Sequence, residues 1–416
     1  MIANGDEDGF TRRQLIGRAL PWTALAGLQG LPQVAFGRTP PGSSRDVLVL
    51  VFLRGGMDGL TTCVPYGDPD LYLARPSIAV PPPGGSDGAI DLDGFFGLSP
   101  AAAPLLAPYQ AGHLAFVHAT GSTDATRSHF EAYQFMEFGI PGQPGGSVAN
   151  GWLARHLLGI DPLVNGAPLR GLAITSVMPL TLSGAPATLA ILDPDGFAFV
   201  GGSTPAQRRA LLARSYAATA EPLRSTGRDT FGTFDLLDTI DFAGYVPAHG
   251  AAYPGTSFGG ALKNASALIK AAVGVECLML EMSGWDLHAS LAGNMRKLLD
   301  DLSLSLLAFY QDHLDDLSQL TVLVMSEFGR RVAENGSHGA DHGHGNCMMV
   351  MGGHVAGGQV LADWPGLSPQ NLDSGDLRIT IDYRDIIAEI LVKRMAEEKI
   401  GDVFPNYTPS FRGIIV

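Results

Sequence analysis

The stretch DVLVLVFLRGGMDG, Asp46–Gly59, sets the architecture. After Asp46 it runs apolar and rich in β-branched residues as far as Leu53, with no polar alternation, so it reads as a strand buried on both faces. Strands of that kind occur in parallel sheets covered by helices on either side. Further apolar runs alternate with helical periodicity along the rest of the chain. Strands are predicted at His113–Ala119, Gly274–Met282, Leu320–Met325 and Cys347–Met351, with shorter extended runs within 169–202. Helices are predicted at Arg127–Glu137, near 258–272, over 289–317 and over 383–395, the last opened by Asp382 as N-cap. The expectation is an α/β fold with a mainly parallel central sheet and helices on both faces. Residues 38–416 would form one domain, with a cap or insertion near 203–256.

Bulk composition agrees. Of 416 residues, 46% are hydrophobic and 16% charged, enough to bury a large core and too apolar for disorder. The formal net charge is -14. Asp6, Glu7 and Asp8 cancel Arg12, Arg13 and Arg18 within residues 1–37, so the remaining chain carries the whole imbalance. Such a surface repels nucleic acid over a Debye length of roughly 8 Å, and no nucleic-acid partner is expected. Three cysteines, Cys63, Cys277 and Cys347, show no spacing of the kind a structural zinc finger needs.

The N-terminus carries an address. Thr11-Arg-Arg-Gln-Leu-Ile16 precedes the apolar run Ala19–Leu31 and an imperfect small-x-small site at Ala35-Phe36-Gly37. A paired arginine ahead of a moderately apolar segment is the twin-arginine export pattern, which makes residues 1–37 a signal segment. The other reading is an ordinary amphipathic first helix. Nothing later offers 18 uninterrupted apolar residues, so no membrane span is expected in the mature chain. The expected location is periplasmic or extracellular, with the twin-arginine machinery as a partner.

Open α/β sheets hold ligands beyond the carboxyl ends of their strands, so polar residues just past each strand are the candidates. Asp58 stands among three glycines and is either a metal ligand or an Asx-turn former. Thr126, Arg127, Ser128 and His129 lie at a helix start. A hydroxyl there is either an activated nucleophile, with Arg127 holding phosphate or sulfate oxygens, or a plain N-cap. Asp286 and His288 follow the strand ending near Met282. Glu327, after Leu320–Met325, is a ligand, a base or a partner of Arg330. The loop Gly339–Gly345 supplies Asp341, His342 and His344, either as metal ligands or as a solvated loop. Together these carboxylates and imidazoles suit one or two divalent ions, zinc first, with magnesium, calcium or manganese as alternatives.

LVFLRGGMDGL (Leu50–Leu60), TRSHFEAYQFME (Thr126–Glu137), SGWDLHA (Ser283–Ala289), MSEFGRR (Met325–Arg331) and GADHGHGN (Gly339–Asn346) follow a twin-arginine leader in that order. The set resembles the bacterial exported family catalogued as domain of unknown function fifteen-oh-one, placed with alkaline phosphatases, sulfatases and metal-dependent phosphoglycerate mutases. The resemblance implies an alkaline phosphatase-like fold and an exported metal-dependent hydrolase of phosphate or sulfate esters, acting on a small or polymeric ester. It also implies that Asp58 is the first metal ligand and that Thr126–His129 is the nucleophile region. Asp286 with His288 would follow as ligands, then Glu327, then His342 or His344. This chain departs where the superfamily has Asp-His, carrying Glu327-Phe328 instead. The alternative that departure supports is a non-catalytic exported binding protein with a degenerate metal site.

Overall fold

The opening strand forms as Val47–Arg54 (β1), with six consecutive buried residues. Alternate side chains enter two different cores, because successive Cβ atoms point to opposite faces. Val49, Val51 and Leu53 pack with Leu291, Leu299 and Leu306 on one face. Leu48, Leu50 and Phe52 pack with Trp152, Ile386 and Ile390 on the other. Neither face meets water, which is why the strand has no polar alternation.

The computed structural model describes residues 45–143, 147–197 and 204–416. The proposed leader over residues 1–37 lies outside the described residues. Beside β1 the main sheet contains Leu114–Gly121 (β2), Gly171–Ile174 (β3), Thr188–Ala190 (β4), Cys277–Ser283 (β5), Leu320–Ser326 (β6), Asn346–Gly352 (β7), Val360–Leu361 (β8) and Ile381–Asp382 (β9). Their order is β8-β2-β7-β6-β1-β5-β3-β4, with β9 also paired to β2. Every pairing is parallel except those of β7, which runs antiparallel to both β2 and β6. The fold is therefore mixed α/β with a mostly parallel central sheet flanked by helices.

The helices that matter below are His129–Phe138 (α1), Trp152–Gly159 (α2), Pro205–Ala217 (α3), Leu223–Leu237 (α4), Ser257–Lys270 (α5), Leu291–Asp312 (α6) and Tyr383–Arg394 (α7). Asp382 does cap α7, its side chain accepting from the Arg384 N–H. α6 stops five residues short of the predicted end. The buried Asp312 carboxylate accepts from Tyr245, Tyr253 and the Ala248 N–H, at 2.8, 2.9 and 2.8 Å, tying the chain there to the 245–253 segment. β5 starts at Cys277 because Gly274 turns the chain at φ 91°. Within 203–256 lie α3 and α4, and α3 buries none of its side chains. A small antiparallel sheet joins Cys63–Val64, Gly97–Leu98 and Ile90–Asp91, strands too short to show a period in sequence. All three cysteines are buried free thiols. Among the described residues, no helix is long and apolar enough to cross a membrane.

Burial of one imidazole makes the fold acid-sensitive. His118 on β2 is fully buried, placed between the Cys63 carbonyl at 2.9 Å and the Ala119 N–H at 2.8 Å. One ring nitrogen therefore donates and the other accepts, which fixes the neutral form. Burial pushes its pKa down to about 4. The unfolded chain binds a proton near pH 6.5 and the native chain does not, so stability present above pH 6.5 is lost as pH falls toward 4. The loss reaches about 3 kcal/mol at 1.36 kcal/mol per pKa unit. Urea unfolding at several pH values should show a shallower acid slope for His118→Asn than for the native chain. Parallel slopes would remove the assignment.

Candidate metal centre

The strand registers define one edge of the sheet. Arg54 at the end of β1 is level with Ser283 at the end of β5, and Leu53 with Ser326 of β6. Asn346, the first residue of β7, is level with Thr120 near the end of β2. Because β7 runs against its neighbours, the loop that precedes it lies with the loops that follow the others. Two glycines let these loops close up. A Cβ on Gly55, at φ +119°, would sit 2.6 Å from the Asp286 backbone nitrogen. One on Gly339 would sit 2.2 Å from the backbone of His288.

Three histidines meet at that edge. His129 opens α1, His288 follows β5, and His342 precedes β7. Each Nδ1 faces a group that only accepts. His129 Nδ1 is 2.6 Å from Glu327 Oε1, His288 Nδ1 is 2.8 Å from Asp341 Oδ1, and His342 Nδ1 is 2.8 Å from the Arg127 carbonyl. The Nδ1 atoms must therefore carry the protons, and in the neutral rings all three Nε2 atoms present lone pairs. Those lone pairs converge on a fourth acceptor. Asp286 Oδ1 lies 3.1 Å from His342 Nε2, 3.1 Å from His288 Nε2 and 3.4 Å from His129 Nε2. The Nε2 atoms of His288 and His342 face each other at 2.9 Å. His129 Nε2 is buried with no hydrogen-bond partner. In the neutral rings these lone pairs face a carboxylate oxygen whose fixed partner is Arg330 at 2.8 Å, and the remaining repulsion is relieved by a cation among them or by protons on the imidazoles.

The surroundings reinforce the arrangement. Glu327 also accepts from the Gly55 N–H at 2.9 Å and from Ser326 Oγ at 2.9 Å, so it is locked beneath His129. Asp341 is steadied by the Asn335 amide at 3.1 Å. Carboxylates or carbonyls on the far nitrogen are how metal-binding imidazoles are usually oriented. Hydrogen bonding to Glu327 raises the His129 pKa, burial opposing it and the charge of Glu327 adding to it. Burial pushes the Asp286 carboxyl up, but the Arg330 guanidinium 2.8 Å away and the His342 contact hold it far below the usual range. Phe328 packs against both His129 and His342, ring centres 4.8 and 5.1 Å apart, and helps keep water from the inner side.

A possible His/Asp metal site therefore exists. His129, Asp286 and His342 each place one donor atom within 4.8 Å of the others, and His288 Nε2 stands beside them, 2.9 Å from His342 Nε2 and 3.1 Å from Asp286 Oδ1. Nitrogen and carboxylate donors of this kind suit a divalent ion, and the half-exposed side chains of Asp286 and His288 leave the outer side open to solvent.

The remaining residues singled out in sequence take other places. Asp58 is buried, accepts from Arg75 at 2.5 and 3.0 Å and from Thr61 Oγ1 at 2.5 Å, and is not among the grouped donors. His344 hydrogen-bonds the Asp124 carbonyl through Nε2, and its Nδ1 lies 3.5 Å from Asp373. Thr126 Oγ1 donates to Glu131 at 2.5 Å and accepts from the Ser128 N–H at 3.1 Å. Ser128 is the α1 N-cap residue. Arg127 is paired with the buried Asp376, its Nε at 2.8 Å. Glu327 and Asp341 stand behind imidazoles and not among the converging donors. Arg75, Asn335 and Asp376 had no signal in sequence, since each meets its partner across a long loop or a different strand.

Residues 255–395 match the family described as "Protein of unknown function (DUF1501)". No curated protein matches the sequence. Among solved structures, Ps i-CgsB in complex with k-i-k-neocarrahexaose is similar at a TM-score of 0.38 and 10% identity, over 86% of this chain and 74% of that one. Alkaline phosphatase from the Antarctic bacterium TAB5 is similar at 0.34 and 10%, over 86% of this chain and 100% of that one. The C-terminal periplasmic domain of EcEptC from Escherichia coli, in complex with Zn, is similar at 0.31 and 10%, over 74% of each chain. Likenesses this distant decide nothing about chemistry, which is left to the side chains.

Proposed function

We propose that this chain is an exported metal-dependent hydrolase of phosphate or sulfate esters, with one cation, zinc by preference, held by His129, Asp286, His288 and His342. The observation that carries the reading is the convergence of three imidazole lone pairs on the Asp286 carboxylate, each imidazole fixed from behind. A divalent ion there supplies Lewis acidity, polarising an ester oxygen and lowering the pKa of an attacking water. The protein's own residues do the rest. Glu327, Asp341 and the Arg127 carbonyl hold the imidazoles in the donor tautomer. Arg127 and Arg331 both pair with the buried carboxylate of Asp376 and keep part of each guanidinium exposed, where it would meet an anionic ester. Thr126, with its hydroxyl committed to Glu131, is a poorer nucleophile than a water at the open side. Export is proposed on the Arg12-Arg13 leader.

The full-length chain, expressed in a bacterium without added metal, should be recovered from the periplasmic fraction with about one divalent ion bound. It should hydrolyse at least one of an aryl phosphate, a diaryl phosphodiester and an aryl sulfate. Absence from that fraction removes the export part. A protein without any ion and without turnover removes the hydrolase reading. An ion-loaded protein that turns over none of the three supports a binding protein instead.

A further inference from the structure

We infer that the cleft beside the metal centre takes an uncharged apolar group, aryl or alkyl, so that the substrate is an ester of an apolar alcohol. For its reaction, though not for its binding, this inference rests on the hydrolase reading above. α1 begins with His129 in the centre and then lines a neighbouring cleft of about 440 Å³ with Phe130 and Tyr133. Tyr133 stacks along His129 with ring centres 5.9 Å apart, so the cleft starts where the centre ends. The loop after β3 also lines it, with Val177 and Met178. Phe130 and Val177 are 81% and 73% exposed. Single exposed apolar side chains need no explanation, but two large ones lining the same cleft next to a catalytic edge make a ligand surface. The volume falls within the range of small-molecule sites, with room for one or two aromatic rings.

The charge of the cleft decides what that ligand is. Arg54, stacked over Phe52 and Tyr133, is bound by Glu137 at 2.6 Å and also by Glu281. Two carboxylates against one guanidinium leave the cleft negative, so it repels a phosphate, a sulfate or a nucleotide. An ester with one anionic end and one apolar end can satisfy both regions. The anion points to the cation and the Arg127 side, and the apolar group lies between Phe130 and Val177.

The test uses 2-naphthol, a neutral leaving group, titrated by fluorescence into the native protein, a Phe130→Ser/Val177→Ser double variant and Asp286→Asn. Native protein should bind it saturably. The double variant should bind about tenfold more weakly, the usual order for losing aromatic and aliphatic contacts. Both side chains are exposed, so the variant keeps its fold. Asp286→Asn should bind naphthol like the native protein. No binding, or equal binding by the double variant, overturns the inference. Naphthyl phosphate and sulfate are then compared with their methyl counterparts. Naphthol binding without any turnover removes the hydrolase reading and leaves the cleft assigned. Equal turnover of naphthyl and methyl esters removes the cleft and leaves the hydrolase.

Discussion

Asp286→Asn should empty the metal centre while leaving the protein folded. The substitution keeps the shape and removes the one anionic donor among the converging atoms. Asp286 Oδ1 serves two masters in the native chain, accepting from Arg330 at 2.8 Å and facing the His342 and His288 nitrogens at 3.1 Å. An asparagine can offer an oxygen to Arg330 or an N–H to an imidazole with that atom, but not both. Either choice weakens cation binding, because the remaining donors are neutral. Loss of an orienting partner behind a ligand typically costs roughly 10–100-fold in affinity, and loss of a charged ligand should exceed that. Arg330 still donates to the carbonyls of Gly55, Gly56, Trp285 and Ala340, so its burial remains hydrogen-bonded. Competition with a chelator would measure zinc affinity, and near-ultraviolet circular dichroism would report folding. Zinc affinity within tenfold of the native value would rule out Asp286 as a ligand, and with it the proposed donor set.

The sheet was legible because its evidence is local. DVLVLVFL has no polar alternation, and the structure shows why, with a core on each face of β1. The loops after strands were legible for the same reason, since a strand and its exit loop are contiguous in sequence. GADHGHGN precedes its strand, and it reaches the same edge only because β7 is antiparallel, which nothing in Cys347–Met351 announces. Side-chain direction was harder. Asp58 and Asp286 both follow buried strands and read alike, yet one turns onto Arg75 and the other onto three imidazoles. Glu327 read as a ligand, a base or a partner of Arg330 for its place after β6, and its side chain lies behind His129, against Nδ1. The choice between donor and supporter depends on which distant side chain each carboxylate meets, and residue type and spacing do not record it.

Arg75→Ala separates those two kinds of acidic residue by stability. Arg75 and Asp58 are both about fully buried, at 1% exposure each, and Arg75 further clamps the Val332 and Arg331 carbonyls at 2.9 and 2.7 Å. Burial pushes the Asp58 carboxyl up, but the paired guanidinium overcomes it and holds the pKa below the usual value. Removing the cation strands a buried carboxylate with only Thr61 at hand, and breaking a buried pair from one side costs about 3–5 kcal/mol. The pH dependence should reverse sign. In the native chain Asp58 contributes stability above the unfolded carboxyl pKa and loses it as pH falls through the lower folded value. In the variant, burial is opposed only by the Thr61 hydroxyl and the charge of Arg330, so the folded pKa is raised relative to the native chain and part of the lost stability is recovered as the solution is acidified. Urea unfolding should therefore show the gap between native and variant protein narrowing from pH 7 to pH 4.5, and the folded variant should take up zinc as the native protein does. A variant within about 1 kcal/mol of native would contradict the buried pair, since surface pairs are worth no more than that. A variant that unfolds normally yet no longer holds zinc would put Asp58 and Arg75 back into the metal centre.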